Sequence, residues 1–146
     1  IGIMATEVTL REEKLHALLT RYPQTTFLPI PAPGVVELVE QGKADSEEMD
    51  ALLERLLAGH KGKLDGLVLG CTHYPFVKKA LRRILGDIPL FDGGEGTARH
   101  TKACLEEKGL LRTGAGSVEI ENSLGGQRIL ALSNALLVDS QEAKHG

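Results

Sequence analysis

The chain has 146 residues, enough for one ordinary domain or for a domain with part of another, and too few for two full lobes. Hydrophobic residues at 42% and charged residues at 25% are the composition of a globular protein with a core, not of a disordered segment. A net charge of −3, with Lys and Arg scattered among Asp and Glu, leaves no basic stripe for nucleic acid, and no apolar stretch approaches the roughly 18 residues of a membrane span, so the composition directs attention to small-molecule chemistry in the cytosol.

In chain order, Ile1 to Ala5 is an apolar run that reads as a strand, and Leu10, Leu15, Leu18 and Leu19 among charged residues read as a helix. Thr9 and Glu12 have the spacing of a capping box, Arg11-Glu12-Glu13-Lys14 reads as its solvated face, and Tyr22-Pro23 closes it. A second strand is expected from Thr25 to Ile30, entering the Pro-rich turn Pro29-Ile30-Pro31-Ala32-Pro33-Gly34. Two helices follow. The first covers about Val35 to Gln41 and stops at Gly42; the second begins near Asp45, with Glu48 reciprocating its cap and leucines 52, 53, 56 and 57 on one buried face.

Gly66 to Leu69 has the continuous apolar character of a strand covered on both sides. A helix is expected from Pro75, with Val77, Leu81, Ile84 and Leu85 at helical spacing. Ile88 to Phe91 is a fourth strand, Asp92-Gly93-Gly94 a turn, and Gly96 to Lys108 a helix ending at Gly109. This alternation predicts an α/β fold with a doubly wound parallel sheet. Residues 112 to 126, rich in Gly, Ser and Thr, predict a loop or weak hairpin; Arg128 to Val138 predicts a last helix or strand, and Gln141 to Gly146 a polar tail.

In such sheets ligands bind beyond the carboxyl ends of the strands, where the turns after each strand lie. The turn Cys71-Thr72-His73-Tyr74 stands out because it carries a thiol, a hydroxyl and an imidazole in succession. At a helix start, unpaired N–H groups favour a thiolate at Cys71, and the same groups with Thr72 and His73 suit a substrate carboxylate. Proton abstraction beside a carboxyl group and nucleophilic attack by Cys71 both fit this turn. The bland alternative is a small core hydrophobe at a strand end. Both cysteines read as free thiols. Cys104 reads as structural, on a helical face with Ala98, Thr101 and Leu105 and with no polar neighbour to activate it. No His has metal-ligand spacing with Cys or a carboxylate, so no metal is expected. Asp92-Gly93-Gly94-Glu95-Gly96 lacks the Gly-Lys-Ser/Thr of a phosphate loop and reads as a tight turn. By position Glu40 is a surface residue of its helix.

Leu69-Gly70-Cys71-Thr72-His73-Tyr74-Pro75 resembles the second cysteine motif of the glutamate racemases, members of the aspartate/glutamate racemase superfamily. Three further segments are similar in the same order: Gly2 to Thr9 with its two threonines, Gly34 to Gly42 with its glutamate, and Asp92 to Ala98. The resemblance covers about residues 1 to 111. It implies one lobe of a two-lobed fold, with residues 1–90 as the carboxy-terminal lobe and 91–146 returning toward an amino-terminal lobe. It also implies cofactor-independent interconversion of L- and D-glutamate by two thiols, supplying D-glutamate for peptidoglycan. Cys71 matches the thiol that takes the proton from L-glutamate, Thr72 and His73 match substrate-contacting residues, His73 also assists the thiol, and Glu40 matches the glutamate that supports His73.

The sequence departs from the family at Ala32-Pro33, where many members have Cys-Pro, at Glu12 and Leu15, where Ser and Tyr are usual, and at Gly93, where Ser is usual. The family's Asp-Ser-Gly and Cys-Asn-Thr-Ala segments are absent from these residues, and the opening on Ile1 reads as a cut from something longer. The chain alone is therefore expected to be inactive. A homodimer is a further expectation, and racemisation of aspartate or another amino acid, or a non-catalytic binding or regulatory module, are the alternatives.

Overall fold

In the computed structural model, which describes residues 1–123 and 126–142, the chain divides into two compact units, Ile1–Asp92 and a second from Gly93 onward. The first unit is built on a four-stranded parallel sheet of order β2-β1-β3-β4, from β1 (Gly2–Ala5), β2 (Leu28–Pro31), β3 (Leu67–Leu69) and β4 (Leu90–Phe91). The expected α/β class with a parallel sheet is what the structure has. β1, whose four residues are all buried, pairs with both β2 and β3.

β2 holds the edge for a covalent reason. The Leu28 amide donates to Ile1 O at 2.9 Å and the Ala32 amide to Ala5 O at 3.2 Å, so the alternate positions, Pro29 and Pro31, are those whose N–H would face outward. Proline has no N–H to leave unpaired there. The strand starts at Leu28 and not at the expected Thr25, because the Thr25 amide closes a turn onto Tyr22 O, and the amino terminus takes up Thr26 O at 2.8 Å.

The helices also differ from expectation at their ends. The first expected helix is two: α1 (Glu7–Arg11) and α2 (Glu13–Leu19), broken at Glu12, whose backbone is extended. Thr6, not Thr9, is the cap, its hydroxyl accepting from the Thr9 amide at 3.2 Å. α3 (Val35–Glu40) ends in Gly42 at φ +76°, with the Gly42 amide on Val39 O and the Lys43 amide on Leu38 O, a Schellman ending that needs the left-handed residue the sequence supplies. α4 (Glu47–Leu57) is capped by Ser46, which accepts from the Met49 amide, and the expected reciprocal residue Glu48 instead pairs with Lys43 at 2.7 Å.

The core between sheet and helices is the stripe Met49, Leu53 and Leu57 of α4, with Val35, Val39, Val77 and Leu81, all fully buried. Leu52 and Leu56 are only half-buried, and Met49 extends the stripe one turn earlier than the leucines foretold. The segment after β3 opens with a 3-10 turn, Tyr74–Val77, and α5 (Lys78–Leu85) begins only at Lys78. Arg83 on α5 reaches Asp50 and Asp45 at 2.7 Å each, and hydrogen bonds to Asp50 and then Asp45 hold its guanidinium above its ordinary pKa.

In the second unit α6 (Gly94–Glu107) ends on Gly109, and α7 (Gln127–Glu142) is the expected last element. The residues described between them, 112–123 and 126, form neither helix nor strand, and residues 143–146 of the expected tail lie outside the described residues. No helix among the described residues is long and apolar enough to cross a membrane.

Candidate active site

The turns after the four strands meet at one edge of the sheet, because parallel strands all present their carboxyl ends there. β1 delivers Thr6, β2 delivers Ala32 to Gly34, β3 delivers Cys71 to His73, and β4 delivers Asp92. Close approach of the central strands is built in at Gly70: a Cβ added there would lie 3.0 Å from Ala5 Cβ and 3.2 Å from Met4 O, while the Gly70 amide donates to Met4 O at 2.8 Å. Cys71 is the first residue free of that constraint.

Three of the four expected residues come together. Cys71 Sγ lies 3.9 Å from His73 Nδ1, and His73 Nε2 lies 2.6 Å from Glu40 Oε1, across 33 positions of sequence. A carboxylate only accepts, so the 2.6 Å contact assigns the Nε2 proton as donor to Glu40. On neutral imidazole the Nδ1 lone pair is then left toward the sulfur, placed to take the thiol proton. Cys71 and His73 are half-buried, whereas the Glu40 side chain is 61% exposed. Thr72, the fourth, is exposed between them.

The α-helix expected to open beside the thiol does not begin there. The first helical amide after Cys71, that of Tyr74, already bonds to Cys71 O at 3.2 Å, and the α-helix proper starts seven residues beyond the thiol. The group that faces the sulfur is therefore the imidazole of His73 and not a fan of unpaired α-helical amides.

Beneath this surface Tyr74 is completely buried, its hydroxyl donating to Ala32 O at 3.3 Å. Burial pushes the phenol up to about 12, and a charged Cys71 and Glu37 act in the same direction. Lys78 forms an ion pair with Asp92, both side chains mostly buried. At the end of β1 the Thr6 and Thr9 hydroxyls are 2.9 Å apart. The thiol-bearing motif contained Tyr74, but nothing in its spacing pointed to Ala32, and Lys78 gave no signal beyond a helical charge.

Cys104 corrects one reading. It has a polar neighbour, His100 Nε2 at 3.6 Å, one helical turn earlier on α6, and no residue of α6 is buried. Both cysteines are free, and no group of three or more His, Cys, Asp or Glu among the described residues is arranged to hold a metal. His145 lies outside the described residues. A separate cavity of about 230 Å³ is lined by Ile3, Leu15, Leu18, Tyr22, Phe27 and Val68; it is apolar and holds neither the thiol nor the imidazole.

No family model matches the chain. Over 141 residues it is 42% identical to the glutamate racemase of Clostridium kluyveri, covering 94% of this chain and 55% of that protein. The crystal structure of Escherichia coli glutamate racemase in complex with L-glutamate and the activator UDP-MurNAc-Ala superimposes with a TM-score of 0.72 at 25% identity, over 92% of this chain and 54% of that one. The fold is shared as well with the Francisella tularensis enzyme in complex with D-glutamate, at a TM-score of 0.75 and 23% identity over 94% and 53% of the two chains. Along nearly all its length the chain is homologous to the glutamate racemases, and it spans about half the length of the relatives it matches.

Proposed function

We propose that this chain is the part of a glutamate racemase that supplies one of its two catalytic thiols, Cys71, acting on one face of the glutamate α-carbon. The observation that supports the reading most is the chain of contacts from Glu40 through His73 to Cys71 at the carboxyl edge of the sheet. In this reading His73 Nδ1 takes the Cys71 proton and Glu40 balances the imidazolium charge. The thiolate then removes the α-proton of L-glutamate, becoming a thiol, while a second thiol on the opposite face gives its own proton to the planar intermediate. Thr72 and His73 contact the substrate, and neither metal nor cofactor takes part. Residues 1–90 form the lobe and 91–146 return toward the other half. The product serves peptidoglycan synthesis in the cytoplasm, and the whole enzyme associates as a homodimer.

Two bases on opposite faces are required, and a lobe carrying only Cys71 at this edge provides one. The purified chain is therefore expected to form no D-glutamate from L-glutamate. A fusion placing the amino-terminal half of the Clostridium kluyveri relative ahead of Ile1 is expected to turn over, and to lose that activity on Cys71→Ala. Turnover by the chain alone that Cys71→Ala abolishes, or fusion activity indifferent to Cys71→Ala, would refute the proposal.

A further inference from the structure

We propose that Tyr74 is a positioning residue of this site: its buried hydroxyl fastens the turn that carries Cys71 and His73 to the turn from which the Glu40 helix departs. The inference rests on the relay reading of Cys71, His73 and Glu40, and it concerns a residue that touches no reacting atom.

The topology creates the need. Glu40 belongs to the segment after β2 and His73 to the segment after β3, and these strands are not neighbours, since β1 lies between them. No ladder hydrogen bond therefore sets one turn against the other. The Glu40–His73 contact cannot supply the alignment by itself, because a carboxylate 61% exposed has water as a competing partner. Tyr74 reaches past the end of β1 to Ala32 O, spanning 42 positions of sequence, from the residue immediately after His73 to a residue three before α3. Its own amide is tied back to Cys71 O, so the phenol fixes the backbone that presents the thiol.

The residue is also protected from becoming a competitor. With the phenol pushed up to about 12 it remains a donor to Ala32 O throughout the range in which a thiol and an imidazole exchange protons. A hydroxyl so buried neither takes the proton meant for Cys71 nor loses its own.

The test uses the full chain with Cys104→Ser, so that Cys71 is the sole thiol, and follows its alkylation by iodoacetamide across neutral pH. Tyr74→Phe is expected to slow Cys71 at neutral pH by about threefold or more, Glu40→Gln to do likewise, and the double variant to be no slower than the slower single one, as coupled residues behave. Placing 3-fluorotyrosine at position 74, which keeps the donor, should retain the parent profile. Placing p-methylphenylalanine there, which fills the space without a donor, should reproduce Tyr74→Phe and decides the matter if the phenylalanine variant fails to fold. A merely structural tyrosine would lower the thermal midpoint while leaving the alkylation profile superimposed on the parent. That result, with Glu40→Gln still slow, overturns the positioning role alone; indifference of the rate to both Glu40→Gln and His73→Ala overturns the relay and this inference with it.

Discussion

Removing the Tyr74 hydroxyl leaves Ala32 O without its donor inside the core, and a buried carbonyl so abandoned costs about 1–3 kcal/mol. Tyr74→Phe should therefore lower unfolding stability by about that amount in urea titration. The pH dependence has a definite sign. The folded phenol, pushed up to about 12 from the ordinary 10.0, holds its proton where the unfolded chain has released it. Stability is thus complete below the unfolded value and declines as pH rises through that window, by on the order of 2 kcal/mol. The decline should be missing in Tyr74→Phe. At this scale the sequence was uneven as a guide. The thiol, hydroxyl and imidazole were visible because they are adjacent, but the meeting of Glu40 and His73 across 33 positions came only from resemblance. The His100–Cys104 neighbourhood followed from helical i, i+4 spacing and was overlooked.

Periodicity located the four strands and the helices of the first unit, while their ends were decided by hydrogen bonds that patterning does not encode. The spacing pointed to Thr9 and Glu12 as the cap, but the helix begins earlier, at Thr6, and the extended backbone at Glu12 breaks the expected box. Thr6→Ala should accordingly cost about 1 kcal/mol, and Glu12→Ala should stay within about 0.5 kcal/mol, as exposed substitutions do; the reverse order in thermal melts would restore the Thr9–Glu12 box. In α4 the fully buried members of the stripe are Met49, Leu53 and Leu57. Leu53→Ala is expected to cost about 2–5 kcal/mol, and Leu52→Ala, at a half-buried position, distinctly less. The late start of α5 was not legible, since Pro75 is equally at home as the second residue of a 3-10 turn.

The first unit is a four-stranded sheet that gathers one set of turns at one edge, and a second compact unit begins at Gly93. The parallel order of the strands brings residues from four distant segments to the same edge, and the alternating pattern of the sequence was sufficient to foresee it. Whether chemistry resides there depends on Cys71 being activated by its neighbours rather than buried as a small hydrophobe. The most direct measurement is the alkylation rate of Cys71 at neutral pH in the Cys104→Ser chain, with and without His73→Ala. The relay requires a fall of about tenfold or more when the imidazole is removed. An unchanged rate would mean that the thiol owes nothing to His73, and would contradict the account.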